Sequence, residues 1–526
     1  MKKTQKKERK TLLLLKKGKQ GLFRAIFSRF GLVLLLLAAQ IGLMLGFYVW
    51  FEEFLPHYFG GSFLVTVPTL LYLLNSRLDP SAKITWLVVM LIMPLFGALF
   101  FWFTQSNLGH RALTDRISYL LGITKDAIVQ EPDVQSGLEE NNPGAGSLAK
   151  YIRRTSCHPI CDGTDVTYYS TGEDMFEAIM NELEQAQHYI FLEYFIVEEG
   201  LMWGQMLDLL ARKAAQGVEI RMMYDGTCEF TRLPRNYPKL LQNLGIQCRV
   251  FAAVKPFLST HYNYRDHRKI LVIDGHTAFT GGINLADEYI NHVSRFGYWK
   301  DTGLMLKGPA AQSLMLMFLQ LWSVTDHQPE FQKYLAPVPK IPGSKGYVIP
   351  YGDCPLDEDK LGERVYMDLL NRAQRYVHIM TPYLILDGEL ETALRFAAER
   401  GVEVSLILPG IPDQKSAHML AKTHLPALVD SGVRVYSFTP GFLHAKVMTC
   451  DDKEAVVGTI NMDYRSLYHH FECATYLVDV PCIADIEKDF EETLLQCQRI
   501  TRQTLREDPW YEKLEGLLLK AIAPLL

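Results

Sequence analysis

Two blocks of eighteen residues repeat each other in this sequence without a gap. HRKILVIDGHTAFTGGIN (267–284) aligns with HAKVMTCDDKEAVVGTIN (444–461), and the step from His267 to His444, like that from Asn284 to Asn461, is 177 residues. The segments upstream recur in the same order. HYIFLEYFIV (188–197), a helical stretch over 202–216, VEIRMMYDG (218–226) and CRVFAAV (248–254) answer YVHIMTPYLIL (376–386), a helical stretch over 388–400, VEVSLILPG (402–410) and VRVYSF (433–438). A lone His-x-Lys-x4-Asp recurs by chance in a long chain. The motif, its downstream Gly-x-x-Asn and its upstream elements in one fixed order mark a duplicated unit. Short apolar runs alternating with amphipathic helical stretches predict a layered α/β fold.

Between Lys and Asp each motif is mostly apolar, ILVI and VMTC, as in a buried strand. Side chains alternate along a strand, so His267 shares a face with Lys269, and His444 with Lys446. Asp274 and Asp451 fall at the far end beside turn residues, where a structural role, anchoring the turn or backbone, suits them better than proton transfer. Two such half-sites facing each other across a pseudo-two-fold would gather two His and two Lys, flanked by Asn284 and Asn461. That set suits a phosphodiester: Lys and Asn stabilise negative charge on the non-bridging oxygens, one His attacks phosphorus and the other protonates the leaving alkoxide. The scheme asks for no metal and no cofactor. A nucleophilic imidazole also needs an acceptor on its other nitrogen. Asp301, in YWKD, and Glu472, in HFE, are the candidates, although their distances from Asn284 and Asn461 differ, at 17 and 11 residues.

Charge is divided unevenly. Residues 1–30 carry eleven Lys/Arg against the single acid Glu8, which leaves 43 Lys/Arg against 58 Asp/Glu in the remainder. An acidic body argues against nucleic acid as a partner, because that binding is dominated by phosphate neutralisation; the basic tail fits anionic lipid. Gly31–Phe51 and Ile84–Phe103 are each free of charge and long enough to reach across the hydrocarbon layer. Ser62–Leu74, shorter and containing Pro68, is a third span or a re-entrant piece, so two spans and three both stand, and with them either face for the catalytic part. The expectation is a multi-pass protein of the cell membrane. Its divisions are a basic cytoplasmic tail at 1–30, a transmembrane anchor at 31–104, a linker at 105–150 that is rich in Gly, Asn and Pro near 136–147, and repeats at 151–335 and 345–526. Nine scattered cysteines suit reduced thiols. Cys157, His158 and Cys161 lack a second ligand pair nearby and are expected in a loop rather than at a metal.

HRKILVIDG with GGIN, and HAKVMTCD with GTINMDYRS and FE, resemble the phospholipase D superfamily and, within it, the bacterial cardiolipin synthases. The region 79–103 resembles that family's membrane anchor, and the likeness runs from about Arg77 to the C-terminus. The resemblance implies two phospholipase D-like α-β-α repeats sharing one active site. It also implies an enzyme that moves a phosphatidyl group from one phosphatidylglycerol to a second through a phosphatidyl-histidine, giving cardiolipin and glycerol, with other anionic phospholipids as neighbours. By the same analogy His267 is the nucleophile and His444 the general acid; pseudo-symmetry leaves the order exchangeable on the residues alone. Thr459 stands in GTIN where the family often carries Ser. Hydrolysis to phosphatidic acid uses the same groups with water as acceptor, sheltered against or not by Tyr262, Tyr264 and Phe442. A nuclease is disfavoured by the acidic body and a non-catalytic scaffold by the two intact motifs.

Overall fold

The computed structural model describes residues 58–76, 78–105, 111–234, 236–253, 264–326, 329–357 and 359–523, with residues 42, 45, 46 and 49. The basic tail, nearly all of Gly31–Phe51, and Arg77 and Tyr262 lie outside them. The two repeats form two sheets built to one plan. In the first the strand order is Asp165–Tyr169, Gly303–Lys307, Thr277–Gly281, Lys269–Ile273, Tyr189–Tyr194, Glu219–Asp225, Gln247–Phe251. In the second it is Tyr347–Asp353, His470–Val478, Glu454–Gly458, Val447–Cys450, Tyr376–Met380, Glu403–Pro409, Arg434–Phe438, extended by Cys497–Ile500. Each motif strand lies centrally, antiparallel to both its neighbours. Such a strand is covered on both faces, which is why its sequence is apolar without alternation.

Between the sheets runs the helix Ala311–Trp322, all twelve of whose residues are buried. Its counterpart in the second repeat, Cys482–Leu494, packs on strands of both sheets. One apolar core therefore crosses the boundary between repeats, with Ile270 and Val272 of the first motif strand in the same cluster as Val447 and Val457 of the second repeat. Two short parallel ladders stitch the repeats together. Arg265–Asp266 pairs with His470–Phe471, and Gly441–Leu443 pairs with Tyr298–Lys300.

Two expectations are corrected. The stretch 105–150 is no linker: helices run over Arg111–Thr124, Pro132–Asn141 and Pro143–Ser156. Pro132 and Pro143 sit at the first helical position, where a missing N–H costs nothing, and the Asn142 side chain caps the Ala145 N–H at 3.0 Å. Gly146 permits a close crossing rather than a turn, since a Cβ there would lie 2.8 Å from the Glu139 Cα. The last two of these helices pack into the core of the second repeat, with Leu138, Leu148 and Ile152 beside Ile349 and Leu369, so the first repeat proper begins near Asp165.

The segment 84–103 likewise does not run as one helix. It breaks at Met93 into Pro80–Ile92 and Pro94–Gln105, where proline removes a donor and obstructs the preceding turn. The two pieces fold back on each other, Trp86 against Phe101 with ring centroids 5.2 Å apart and the Gly97 position against the Met90 backbone. Among the described residues no helix is long and apolar enough to cross a membrane. Ser62–Leu74 lies within a helix over Tyr58–Asn75, with Pro68 inside it. All nine cysteines are free thiols.

Candidate active site

At the N-terminal end of each motif strand the histidine is held by the opposite repeat. The His267 N–H donates to the Phe471 carbonyl (2.9 Å) and the His444 N–H to the Lys300 carbonyl (2.7 Å), so each backbone continues a parallel ladder into the other half. One residue further along that ladder stands a carboxylate. His267 Nδ1 lies 2.9 and 3.0 Å from the two oxygens of Glu472, and His444 Nδ1 lies 2.6 Å from Asp301 Oδ2. The pairs are thus crossed, which the sequence left open. Asp301 and Glu472 are equivalent in register, each two residues before the partner of the Gly that ends the neighbouring strand: Gly281 pairs with Gly303, and Gly458 with Ala474. Their unequal distances from Asn284 and Asn461 come from a longer connection in the first repeat.

Both imidazoles are almost wholly buried. Burial outweighs the neighbouring carboxylate and pulls His267 down to about 3. Burial, with Lys446 beside it, brings His444 to about 4. Each is therefore a neutral ring that donates its Nδ1 proton to a carboxylate and keeps a lone pair on Nε2. Burial would raise Glu472, but contact with His267 prevails and holds it well below the usual carboxylate range.

Lys269 Nζ donates to the His267 carbonyl at 2.6 Å, and Lys446 Nζ to that of His444. Burial pulls Lys269 down to about 8 and Lys446 to about 7, and the charge of Lys269 lowers both His444 and Lys446. The two motifs therefore share one electrostatic neighbourhood. Asp274 and Asp451 stand at the far ends of the strands. Asp274 accepts from the backbone N–H groups of Gln187, His188 and Tyr189, each at 2.8 Å, and Asp451 from Gln374, Arg375 and Tyr376 at 2.8, 2.8 and 2.9 Å. Both adopt positive φ, 51° and 53°, a conformation that Asp tolerates better than most side chains.

The asparagines differ from each other. Asn284 spends its amide inside the protein, accepting from the Ile196 N–H (2.9 Å) and donating to Tyr289 Oη (2.8 Å), so it reaches phosphate less readily than the motif alone implied. Asn461 Oδ1 is buried with no hydrogen-bond partner among the described residues. The Thr459 hydroxyl donates to Glu472 Oε2 and accepts from the Cys473 N–H at 3.0 Å, fixing the carboxylate that orients His267.

Of the residues that wall the two histidines, sequence reasoning found Phe442 and missed the rest. Tyr289, Trp299 and Phe442 surround the His444 ring, with centroids 5.5, 5.3 and 5.7 Å away, and Phe195 and His470 stand beside His267 at 5.0 and 5.4 Å. Strand alternation was a usable signal for two of them, because Trp299 and His470 lie two residues before Asp301 and Glu472 on the same faces. Of the other aromatics expected near the motifs, Tyr264 packs against His469 at 6.4 Å.

A family model described as "Cardiolipin synthase, PLD-like domain" matches residues 179–322 and 366–494, one segment in each repeat. An "uncharacterized protein" of Streptococcus mutans is 52% identical over 460 residues, 88% of this chain and 100% of that protein. Cardiolipin synthase 2 of Bacillus cereus is 31% identical over 452 residues, 85% of this chain and 87% of that protein. Among solved structures, a phosphatidylserine synthase of Haemophilus influenzae Rd KW20 shares the fold, with a TM-score of 0.55 at 16% identity over 73% of this chain and 98% of that one.

Proposed function

Because the chain belongs to the cardiolipin synthase, phospholipase D-like family of phosphatidyl-transferring enzymes, we propose that it joins two phosphatidylglycerols into cardiolipin and glycerol through a phosphatidyl-histidine. The crossed pairs His267–Glu472 and His444–Asp301 carry this reading. A neutral imidazole with its Nδ1 proton fixed on a carboxylate presents Nε2 as a nucleophile.

In the first step Nε2 of His267 attacks the phosphorus of one phosphatidylglycerol, the P–O bond to the headgroup glycerol breaks, and the glycerol oxygen takes a proton from His444. His444 holds that proton once the anionic phosphodiester has arrived, since negative charge nearby favours imidazolium. Lys269 and Lys446 stabilise the charge on the non-bridging oxygens. In the second step a hydroxyl of another phosphatidylglycerol gives its proton to His444 and attacks phosphorus, releasing His267. Tyr289, Trp299 and Phe442 make the surroundings of His444 apolar, which suits a lipid acceptor more than water.

The same reading places the protein at the cell membrane as a multi-pass enzyme anchored by its N-terminal region. Its support is the apolar sequence over 31–51 and the exposed Ile84, Leu91 and Ile92 of the helical hairpin. Trp510, Leu517 and Leu518 are likewise exposed on a C-terminal helix (Trp510–Ile522) that the hairpin touches, where the Thr85 hydroxyl donates to the Ala521 carbonyl at 2.8 Å.

The test is reconstitution of the purified protein in phosphatidylglycerol liposomes, with cardiolipin, glycerol and phosphatidic acid measured together. Cardiolipin and glycerol in equal amounts support the proposal; phosphatidic acid as the sole lipid product sinks it.

A further inference from the structure

Glu472 faces two imidazoles, and the transfer reaction uses only one of them. His470 Nδ1 stands 3.6 Å from Glu472 Oε1, within ion-pair distance but longer than a hydrogen bond. The ring is 8% exposed, and neither of its nitrogens has a hydrogen-bond partner among the described residues. A buried imidazole left in that state forfeits the hydration of both nitrogens, and an absent ion is one of the ordinary reasons for such a group. The fold itself does not require it: the equivalent position in the other repeat is Trp299, whose ring lies tilted beside His444 as His470 does beside His267. His267, His470 and Glu472 each bring one ligand atom within 4.8 Å of the others. Two imidazoles and one carboxylate converging at that spacing are the donor set that zinc-class dications take.

We propose that His267, His470 and Glu472 form an inhibitory binding site for a zinc-class divalent metal ion. The inhibition, which rests on the two-histidine reading above, follows from the tautomer. His267 Nδ1 can bind a metal only as a lone-pair donor, so its proton moves to Nε2. The imidazole stays neutral and no proton is lost, but Nε2 then has no lone pair with which to attack phosphorus. Glu472, drawn to the metal, also ceases to orient the ring. The half-site at His444 offers no such trap, since Trp299 takes the place of the third ligand. Lys269 borders the site, and its charge opposes a dication.

The experiment uses the full-length protein in detergent, stripped with a chelator and titrated with cobalt(II). One equivalent is expected to give the visible absorption of a low-coordinate cobalt site, which zinc then abolishes. In phosphatidylglycerol vesicles zinc is expected to stop turnover at the same stoichiometry, and chelator to restore it. His470→Asn should still turn over after chelator treatment, lose the cobalt band, and, relative to its own chelator-treated rate, need at least roughly tenfold more zinc for half-inhibition. His470→Gln serves if the first variant does not accumulate. Absence of the cobalt band in the unaltered protein, or zinc inhibition unchanged in the variants, overturns the proposal. A cobalt band that depends on His470 in a protein releasing only phosphatidic acid would leave the metal site standing while the synthase reading fell.

Discussion

His444 Nδ1 lies 2.6 Å from Oδ2 of Asp301, a carboxylate carried by the other repeat, and His267 mirrors the exchange with Glu472 at 2.9 Å. Each repeat supplies an imidazole that only its partner can orient, so the duplication is held together by chemistry as well as by the shared core. Asp301→Asn and Glu472→Gln replace an acceptor with an amide that can turn its NH2 toward Nδ1 and favour the wrong tautomer. Each substitution is expected to lower kcat by about 10³ to 10⁴ and to leave KM nearly unchanged. Steady-state kinetics on phosphatidylglycerol vesicles read this directly; a loss confined to KM would mean that the carboxylates bind lipid instead.

The pH profile follows from the same burial. His267, held near 3, stays unprotonated through the range in which a free imidazole would titrate, so kcat/KM shows no acid limb between pH 5 and 7. Lys446 and Lys269 carry charge only below about 7 and 8. As pH rises through those values the site loses cations that hold phosphate, and His444, near 4 in the free enzyme, must take up a proton as the phosphodiester binds, so kcat/KM falls steadily toward alkaline pH. A profile from pH 5 to 9 checks both limbs. An acid limb centred near the ordinary histidine value would contradict the assignment.

How much of this was legible depended on how local each feature is. Strand alternation placed His267 with Lys269 and His444 with Lys446, and the turn residues after each strand placed Asp274 and Asp451 at their backbone posts, because both signals lie within a few residues of sequence. The crossing of Asp301 to His444 was not legible, since it depends on ladders such as Gly441–Leu443 against Tyr298–Lys300, between segments far apart in the chain. The partners of Asn284 were not legible either: its amide accepts from Ile196 and donates to Tyr289, contacts that no motif spacing encodes. In 132–156 the prolines open helices and Gly146 admits a close helix crossing, so residues that read as a linker make two helices of the second repeat's core. Hydropathy measured the length of 84–103 but gave too little weight to Pro94.

Removing a buried lysine separates stability from activity. Lys446 titrates near 7 in the folded protein and near 10.4 when unfolded. Between those values the unfolded chain holds a proton that the folded chain has released, so this lysine lowers stability at neutral pH and the deficit shrinks as pH rises. Lys446→Met is expected to raise the melting temperature by a few degrees at pH 7, with less gain at pH 9, while turnover is lost. Melting curves at the two pH values, set beside product assays, test the sign; a variant that melts earlier at pH 7 refutes it.

Asp451 predicts the reverse pattern. Its carboxylate caps three backbone N–H groups at the start of the strand Tyr376–Met380, away from the imidazoles. Asp451→Asn keeps the shape but can satisfy fewer donors, at a cost of about 2–3 kcal/mol of stability. Specific activity should follow the folded fraction across temperature, and the pH profile of the remaining activity should match the unaltered enzyme. A changed profile would move Asp451 into the chemistry.

Gly282 and Thr459 occupy equivalent places, the one donating its N–H to the Thr302 carbonyl and the other to that of Cys473, yet they tolerate opposite changes. A Cβ on Gly282 would lie 1.9 Å from Asp301 Oδ1, so the carboxylate that orients His444 already fills the space a side chain would need. The longer Glu472 stands farther off and leaves room for the Thr459 hydroxyl that braces it. Gly282→Ala must push Asp301 aside. A displacement of about 1 Å at a positioning group costs on the order of 10² in rate, and the fall should appear in kcat with melting temperature little altered. Thr459→Ser keeps the hydroxyl and should remain within about twofold of full activity, whereas Thr459→Val, which cannot donate to Glu472, should lose about tenfold for one missing hydrogen bond to a charged group. If Gly282→Ala turned over normally, Asp301 could not be what holds His444 in its working tautomer.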